Sequence, residues 1–474
     1  MRPFDTRLLG NPNTHSFVGL PMSKQFRPWN PEQSFLFPPS PRDWLPENHL
    51  VYFLLDVIPQ MNLQPILRPY QAEERGQPPF HPTMLVTLLL YGYATGIFSS
   101  RRLMSRCETD AAFRVIVGDD IPDFRTISDF RKRHLAALEG LFVDVLKLCA
   151  KAGLVKVGRI ALDGSEVKAN ASRHKAMSYD YMLKEEQRLK KEIKALLAQA
   201  EEADQAEDRT YGRESRGDEL PEELARRQTR LKKIREAKAA LEAEAREVAR
   251  AAEAERQQAG KPPSGNDPEQ AKPEPKAQYN FTDPESQIMK ASNKGWDQCM
   301  NAQVVVNEHQ IIVAADVTDE TNDKQQVQPM IEQTQQNVAG AGVTEQIKEA
   351  MADSGFYSEA NVEYLEGQEI DPYIATERLK HHEKITASPR GRCPKGLTAK
   401  QRMARKLRTQ KGRERYARRK GMVEPVFGQV KHGRGFRQFL LRGRKKMRSE
   451  WRLVSLTHNL LKLWRHGQGK GQRN

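Results

Sequence analysis

The sequence predicts an α/β protein with a mixed sheet flanked by helices, an antiparallel coiled-coil insertion and an all-α N-terminal region. Three features carry this expectation. Apolar residues before position 156 recur at helical spacing, Val/Ile/Ala-rich strand-like runs follow it, and residues 179–256 repeat apolar side chains every seven. A chain of 474 residues, 38% of them hydrophobic, suffices for two or three domains with real cores. The expected division is 1–155 as a helical domain, 156–175 with 286–465 as the sheet domain, 176–285 as the insertion with a flexible linker, and 466–474 as a disordered tail.

The first eighty residues are Pro-rich, with a helical patch at WLPENHLVYFLLDVIPQM (44–61). In HPTMLVTLLLYGYATGI, Pro82 stands at a helix start, where a missing N–H costs nothing. SRRLMSRCETDAAFRVIVG and DFRTISDFRKRHLAALEGLFVDVLKLCAKAGL supply two or three more helices. Their Arg101, Arg102, Arg125, Arg131, Lys132 and Arg133 suit either a helix-turn-helix-like DNA-binding domain or the solvated face of an ordinary bundle.

VGRIALDGSEVKAN is the first strand, expected to end on Asp163 at the turn-forming Gly164. Two heptad runs follow: Met182, Leu189 and Leu196 with Ile193 and Ala200, then Leu224, Leu231, Ile234, Leu241 and Val248. The Gly- and Pro-containing loop between them makes the pair an antiparallel hairpin. QQAGKPPSGNDPEQAKPEPK reads as a linker. CMNAQVVVNEHQIIVAADVTDE is a β-hairpin, and a helix, a short strand run ending on Asp353, a helix and the small strand DPYIAT complete the pattern.

The charge is unevenly placed. The chain carries +15, yet Thr376–Arg448 alone holds 25 Lys and Arg against 4 acids, a local net of +21. Basic charge concentrated in one segment predicts a polyanion site, with nucleic acid favoured over a membrane surface for want of a long amphipathic apolar face. No run of eighteen apolar residues occurs and the N-terminus lacks a secretory-signal core, so the expected place is the cytoplasm. Cys107, Cys149, Cys299 and Cys393 form no CxxC pair and are expected to be buried or inert thiols.

Three acids stand out as a set. Asp163 and Asp353 end strands, and Glu424 lies in GRERYARRKGMVEPVFGQVKHGRGFRQF, a segment crowded with cations. Singly, each serves as well as a cap or turn former. Together, two strand-end acids and one on a flanking helix can converge at a sheet edge. Three carboxylates at one point repel unless cations lie between them, and hard oxygen ligands favour Mg²⁺ or Mn²⁺. Two such ions about 3.5–4 Å apart clamp the attacking and leaving oxygens of a phosphodiester. Pro425 suits the first turn of the helix carrying Glu424, and Lys431 lies two turns further along the same face.

LDGSEVKANAS, YNFTDPESQIMK, ADSGFYSEANVEYLE, RRKGMVEPVFGQVK and FLLRGRKKMRSEWRLVSLTHNLLKLW, taken in order over roughly 80–465, resemble the DDE transposases of bacterial insertion sequences. The resemblance implies an RNase H-like (retroviral-integrase-like) core, with Asp163, Asp353 and Glu424 as catalytic metal ligands for two Mg²⁺ or Mn²⁺ ions. The family's Tyr–Arg–Glu–Lys signature falls on Tyr416, on Arg419 or its neighbour Lys420, on Glu424 and on Lys431. These cations and the tyrosine would contact DNA. The implied protein binds the terminal inverted repeats of its element, cleaves DNA and joins the 3′-OH ends to target DNA. It would act as a homodimer in a paired-end complex, nucleoid-associated and free of membrane. The alternatives are an RNase H-like nuclease without strand transfer and a non-enzymatic nucleic-acid-binding protein.

Overall fold

Helices lead into the sheet: α1 (Leu50–Val57), α2 (Gln64–Gln71), α3 (Pro82–Ala94), α4 (Ser100–Thr109), α5 (Ala111–Val117), α6 (Phe124–Arg133) and α7 (Leu135–Lys151). The computed structural model describes residues 40–71, 78–211, 222–258, 260, 262–290, 295–377 and 388–471, apart from 390, 392 and 395. Local chemistry sets the helix starts. Pro82 opens α3, where His81 Nδ1 accepts from Thr83 N, and Asp110 and Asp123 accept from Ala112 N and Arg125 N to cap α5 and α6. Of the arginines expected on an exposed face, Arg131 is instead buried, because its guanidinium donates to Tyr93 Oη and to the Phe98 carbonyl.

The sheet domain opens with β1 (Arg159–Lys168). A small strand β2 (Ala176–Ser178), the long helices α8 (Tyr179–Tyr211) and α9 (Glu222–Gln258), and β3 (Gln278–Asn280) follow, β2 pairing with β3. Then come β4 (Gln287–Lys290), β5 (Trp296–Asn307), β6 (Ile312–Thr318), α10 (Val327–Gly340), β7 (Glu349–Ala352), α11 (Glu359–Gly367), β8 (Asp371–Ile374), α12 (Ala399–Arg408), α13 (Gln410–Gly428) and α14 (Arg444–Gly471). The main sheet is mixed. β5 is antiparallel to β1 on one edge and to β6 and β4 on the other, whereas β1, β7 and β8 run parallel.

β1 does not end on Asp163. It continues to Lys168 because long β5 pairs with it throughout, from Ile160 opposite Asn307 to Lys168 opposite Cys299. What ends near Asp163 is the neighbour: pairing with β7 stops at Ala161 beside Met351.

α8 and α9 run antiparallel. Tyr179 Oη donates to Glu242, Glu186 pairs with Arg235 and Lys238, and Glu192 pairs with Arg227. Met182, Leu189, Leu231, Ile234, Ala237 and Leu241 form an apolar cluster of their own, separate from the main core. Val248, expected in the repeat, is 64% exposed. Tyr179 at the start of α8 already lies against Glu242, so α8 has nothing to set opposite it. The loop residues 212–221 lie outside the described residues. The stretch expected as a flexible linker lies back along α9, with Asp267 capping a turn and Arg250 paired to Glu269.

One core joins the N-terminal helices to the sheet, and α14 runs through it. Trp451 Nε1 donates to Gln303 O, and the Asn459 amide accepts from Ile312 N and donates to Ile312 O. Buried Glu450 accepts from Tyr93 Oη on α3 and from the backbone of Leu440 and Leu441. The expected tail from 466 is helical to Gly471, with Gln468 bonded to both the side chain and the carbonyl of Asn48. Among the described residues no single helix is long and apolar enough to cross a membrane. Cys107, Cys149 and Cys299 are buried and their thiols pushed up to about 12 chiefly by burial, but Cys393 is exposed.

Candidate active site

The register of the two parallel strands brings the first two acids together. Ala161 lies beside Met351, so two residues on, where the strand period returns to the same face, Asp163 comes beside Asp353. Asp353 caps the turn after β7 by accepting from Gly355 N at 2.8 Å. The Asp163 carboxyl is pushed up to about 7, first by burial, against the pull of the Arg419 guanidinium and with the Asp353 charge adding to the rise.

Above them lies α13, the helix of the basic segment. Arg419 Nη1 stands 3.3 Å from Asp163 Oδ2, and its guanidinium lies 6.0 Å from the Tyr416 ring centre. Lys420, the other candidate for the signature arginine, is exposed. Arg419 is therefore the cation at the aspartates. Arg415 pairs with Glu349 at the start of β7 and fixes the helix across the sheet. Residues 378–387 of the basic segment lie outside the described residues.

Pro425 does not open a helix. α13 begins at Gln410, capped by Thr409, and Pro425 lies inside it near the end. Proline cannot donate to the carbonyl four residues back, and that carbonyl, Gly421 O, accepts instead from Gln310 Nε2 at 2.8 Å. A π-helical turn, Gln429–Gly433, follows and breaks the 3.6-residue phase. As a result Lys431 does not share the face of Glu424. Lys431 is buried, donating to Ser165 Oγ and to Glu166 O, while Glu424 is exposed on α13. Burial lowers the Lys431 ammonium below the usual lysine range. Its described contacts thus hold β1 just beyond Asp163.

One acid at this site escaped the sequence reading. Asp323, before α10, accepts at Oδ1 from Asn301 Nδ2 at 2.7 Å and from Gln303 Nε2 at 2.6 Å. Burial raises its carboxyl, the two amides oppose the rise, and the Asp353 charge adds to it. In DETNDKQQ it reads as one of several loop acids before a helix, and only the amide-bearing strand beside it singles it out.

The donor set at Asp163 and Asp353 is hard oxygen, which suits Mg²⁺ or Mn²⁺ and not a soft metal. The raised Asp163 carboxyl with a second carboxylate beside it fits a group that carries positive charge. Among the described residues, no three His, Cys, Asp or Glu side chains converge closely enough to hold a metal ion by themselves. Further along β1, a cleft of about 520 Å³ is lined by Lys168, Arg173, His174, Trp296, Gln298 and Gln438, with Trp296 57% exposed.

Two regions of the chain match family models. Residues 39–133 match a transposase domain (DUF772), and residues 377–464 match a transposase DDE domain. The second range contains Tyr416, Arg419, Glu424 and Lys431, whereas Asp163, Asp323 and Asp353 lie outside both. No curated protein and no solved structure matches the chain. The class is thus that of the transposases. The two matches together support a DDE-type transposase of an insertion sequence.

Proposed function

We propose that this transposase binds the inverted-repeat ends of its element, cleaves their phosphodiester bonds and joins the 3′-OH ends to target DNA. The observation that carries the reading is Asp163 on β1 beside Asp353 at the end of the parallel strand β7, under a basic helix that presents Arg419 to Asp163. The strand order supports an RNase H-like core: an antiparallel β1–β5–β6 meander with β7 and β8 added in parallel to β1. The heptad spacing and antiparallel packing of α8 and α9 support reading 176–285 as a coiled-coil insertion. Residues 1–155 are the DNA-end-binding part, and 156–175 with 286–465 the catalytic part.

Asp163, Asp353 and Glu424 would hold the divalent cations. The chemistry two Mg²⁺ or Mn²⁺ ions supply when held there is stabilisation of negative charge on the attacking and leaving oxygens. The chain's own residues do the rest. Arg419 neutralises part of the aspartate charge and, with Tyr416, offers a planar cation and a ring to a DNA strand. Lys431 keeps Ser165 and Glu166 in place and so fixes the strand bearing Asp163. Lys420 and the exposed cations of α13 face outward, available to phosphates. Two DNA ends in one complex call for a homodimer.

The test uses the purified chain with labelled terminal-repeat DNA and a target plasmid. Asp163→Ala, Asp353→Ala and Glu424→Ala should each abolish cleavage and leave DNA affinity within a few-fold. Cleaved but never joined DNA from the wild type would instead mark a nuclease without strand transfer. DNA binding with no Mg²⁺-dependent product would mark a binding protein only.

A further inference from the structure

Asp323 has no part in the triad, yet the fold makes room for it. Gly164 and Gly355, each following an aspartate of the site, are glycines at closely packed points. A Cβ on Gly164 would stand 2.7 Å from Asp323 Oδ1, 2.4 Å from Gln303 Nε2 and 2.8 Å from Asn301 Oδ1. A Cβ on Gly355 would stand 2.9 Å from Asp323 Oδ2 and 3.1 Å from Asp353 Oδ1. Neither glycine has a positive φ, so no turn requirement explains them. The space their side chains would take is filled by the carboxylates and amides.

The carboxylate is also oriented. Both amides reach Oδ1, and Oδ2 is left on the side of Gly355 and Asp353. Gln303 is 1% exposed, and the bonds its Nε2 donates to Asp323 and Asn301 fix which way round the amide sits. Its Oε1 is then a buried acceptor with no hydrogen-bond partner. A buried oxygen left without a partner asks for a donor or a cation. A loop latch alone would be served by Oδ1 and would not require a second carboxylate oxygen against Asp353 at a glycine.

We propose that Asp323 is a positioning residue of the catalytic site. It adds a third negative charge beside Asp353 and, through Asn301 and Gln303, holds that charge where a divalent cation binds Asp163 and Asp353. The inference rests on the cation reading above.

The experiment measures Mn²⁺ binding to the full chain without DNA, by calorimetry and by the Mn²⁺-induced shift in melting temperature, with chelator melts as the control. Asp323→Asn keeps an acceptor for both amides but removes the charge, and should weaken Mn²⁺ binding tenfold or more at an unchanged chelator melt. Gly355→Ala keeps every charge but sets a methyl between the two carboxylates, and should weaken binding several-fold. It also answers the question if Asp323→Asn fails to fold. Both variants binding Mn²⁺ like the wild type, while Asp163→Asn loses it, would overturn the role of Asp323 and leave the cation site standing. A wild-type chain that takes up no Mn²⁺ would overturn both.

Discussion

Asp163 is held where burial and a neighbouring carboxylate both oppose its ionisation, and this gives the site a pH dependence of definite sign. Its carboxyl lies at about 7 in the folded chain against an ordinary aspartate value of 3.8. A raised acid favours folding while protonated. That contribution is full below about pH 4 and is lost as the pH rises through 7. A divalent cation competes with the same proton, so its stabilising effect should run the other way. Melts with and without Mn²⁺ between pH 5 and 8 should show a cation-induced rise that is small at pH 5 and grows through pH 7. A pH-independent rise would place the cation elsewhere. The sequence made Asp163 and Asp353 legible because each closes or interrupts an apolar run. Arg419 could not be separated from Lys420 because neighbouring helix positions differ only in direction. Asp323 was hidden because its partners, Asn301 and Gln303, sit on a strand twenty residues away.

At the scale of elements, α13 depends on a contact from outside itself. Gln310 accepts a positive φ of 59° in the β5–β6 turn and satisfies the carbonyl that Pro425 leaves free. Gln310→Ala should cost about 1 kcal/mol in denaturant unfolding. Adding Pro425→Ala should recover part of it by restoring a helical donor, and a strictly additive pair would argue against the link. The end of α13 was misread for the same reason: a proline beside a candidate acid signals a helix start, and only a distant side chain lets it sit near an end. The hairpin of α8 and α9 is a different case. Its apolar contacts form their own cluster, and its heptads were readable because they are local. Replacing residues 180–256 with a short Gly/Ser linker should leave the sheet domain with a cooperative melt and Mn²⁺ response. An insoluble product would show that the sheet needs the hairpin.

For the whole molecule, α14 decides what can fold alone. It packs on α7, α3 and β6, and its Glu450 meets the hydroxyl of Tyr93, to which Arg131 also donates. Removing the N-terminal helices should therefore leave residues 156–474 molten or insoluble, although the sequence divides there by secondary-structure type. Glu450→Ala strands the Leu440 and Leu441 N–H groups and should cost about 2–4 kcal/mol. Glu450→Gln should lose less, because an acceptor remains. Circular dichroism of the truncation and urea unfolding of the two variants check this. The arrangement also imposes an order in time. On the ribosome, α3 emerges roughly 350 residues before the helix that covers it, a wait on the order of 18–70 s at ordinary elongation rates. Through that interval its apolar surface must be sheltered by other means, and the folded transposase comes into being only when synthesis has passed through α14.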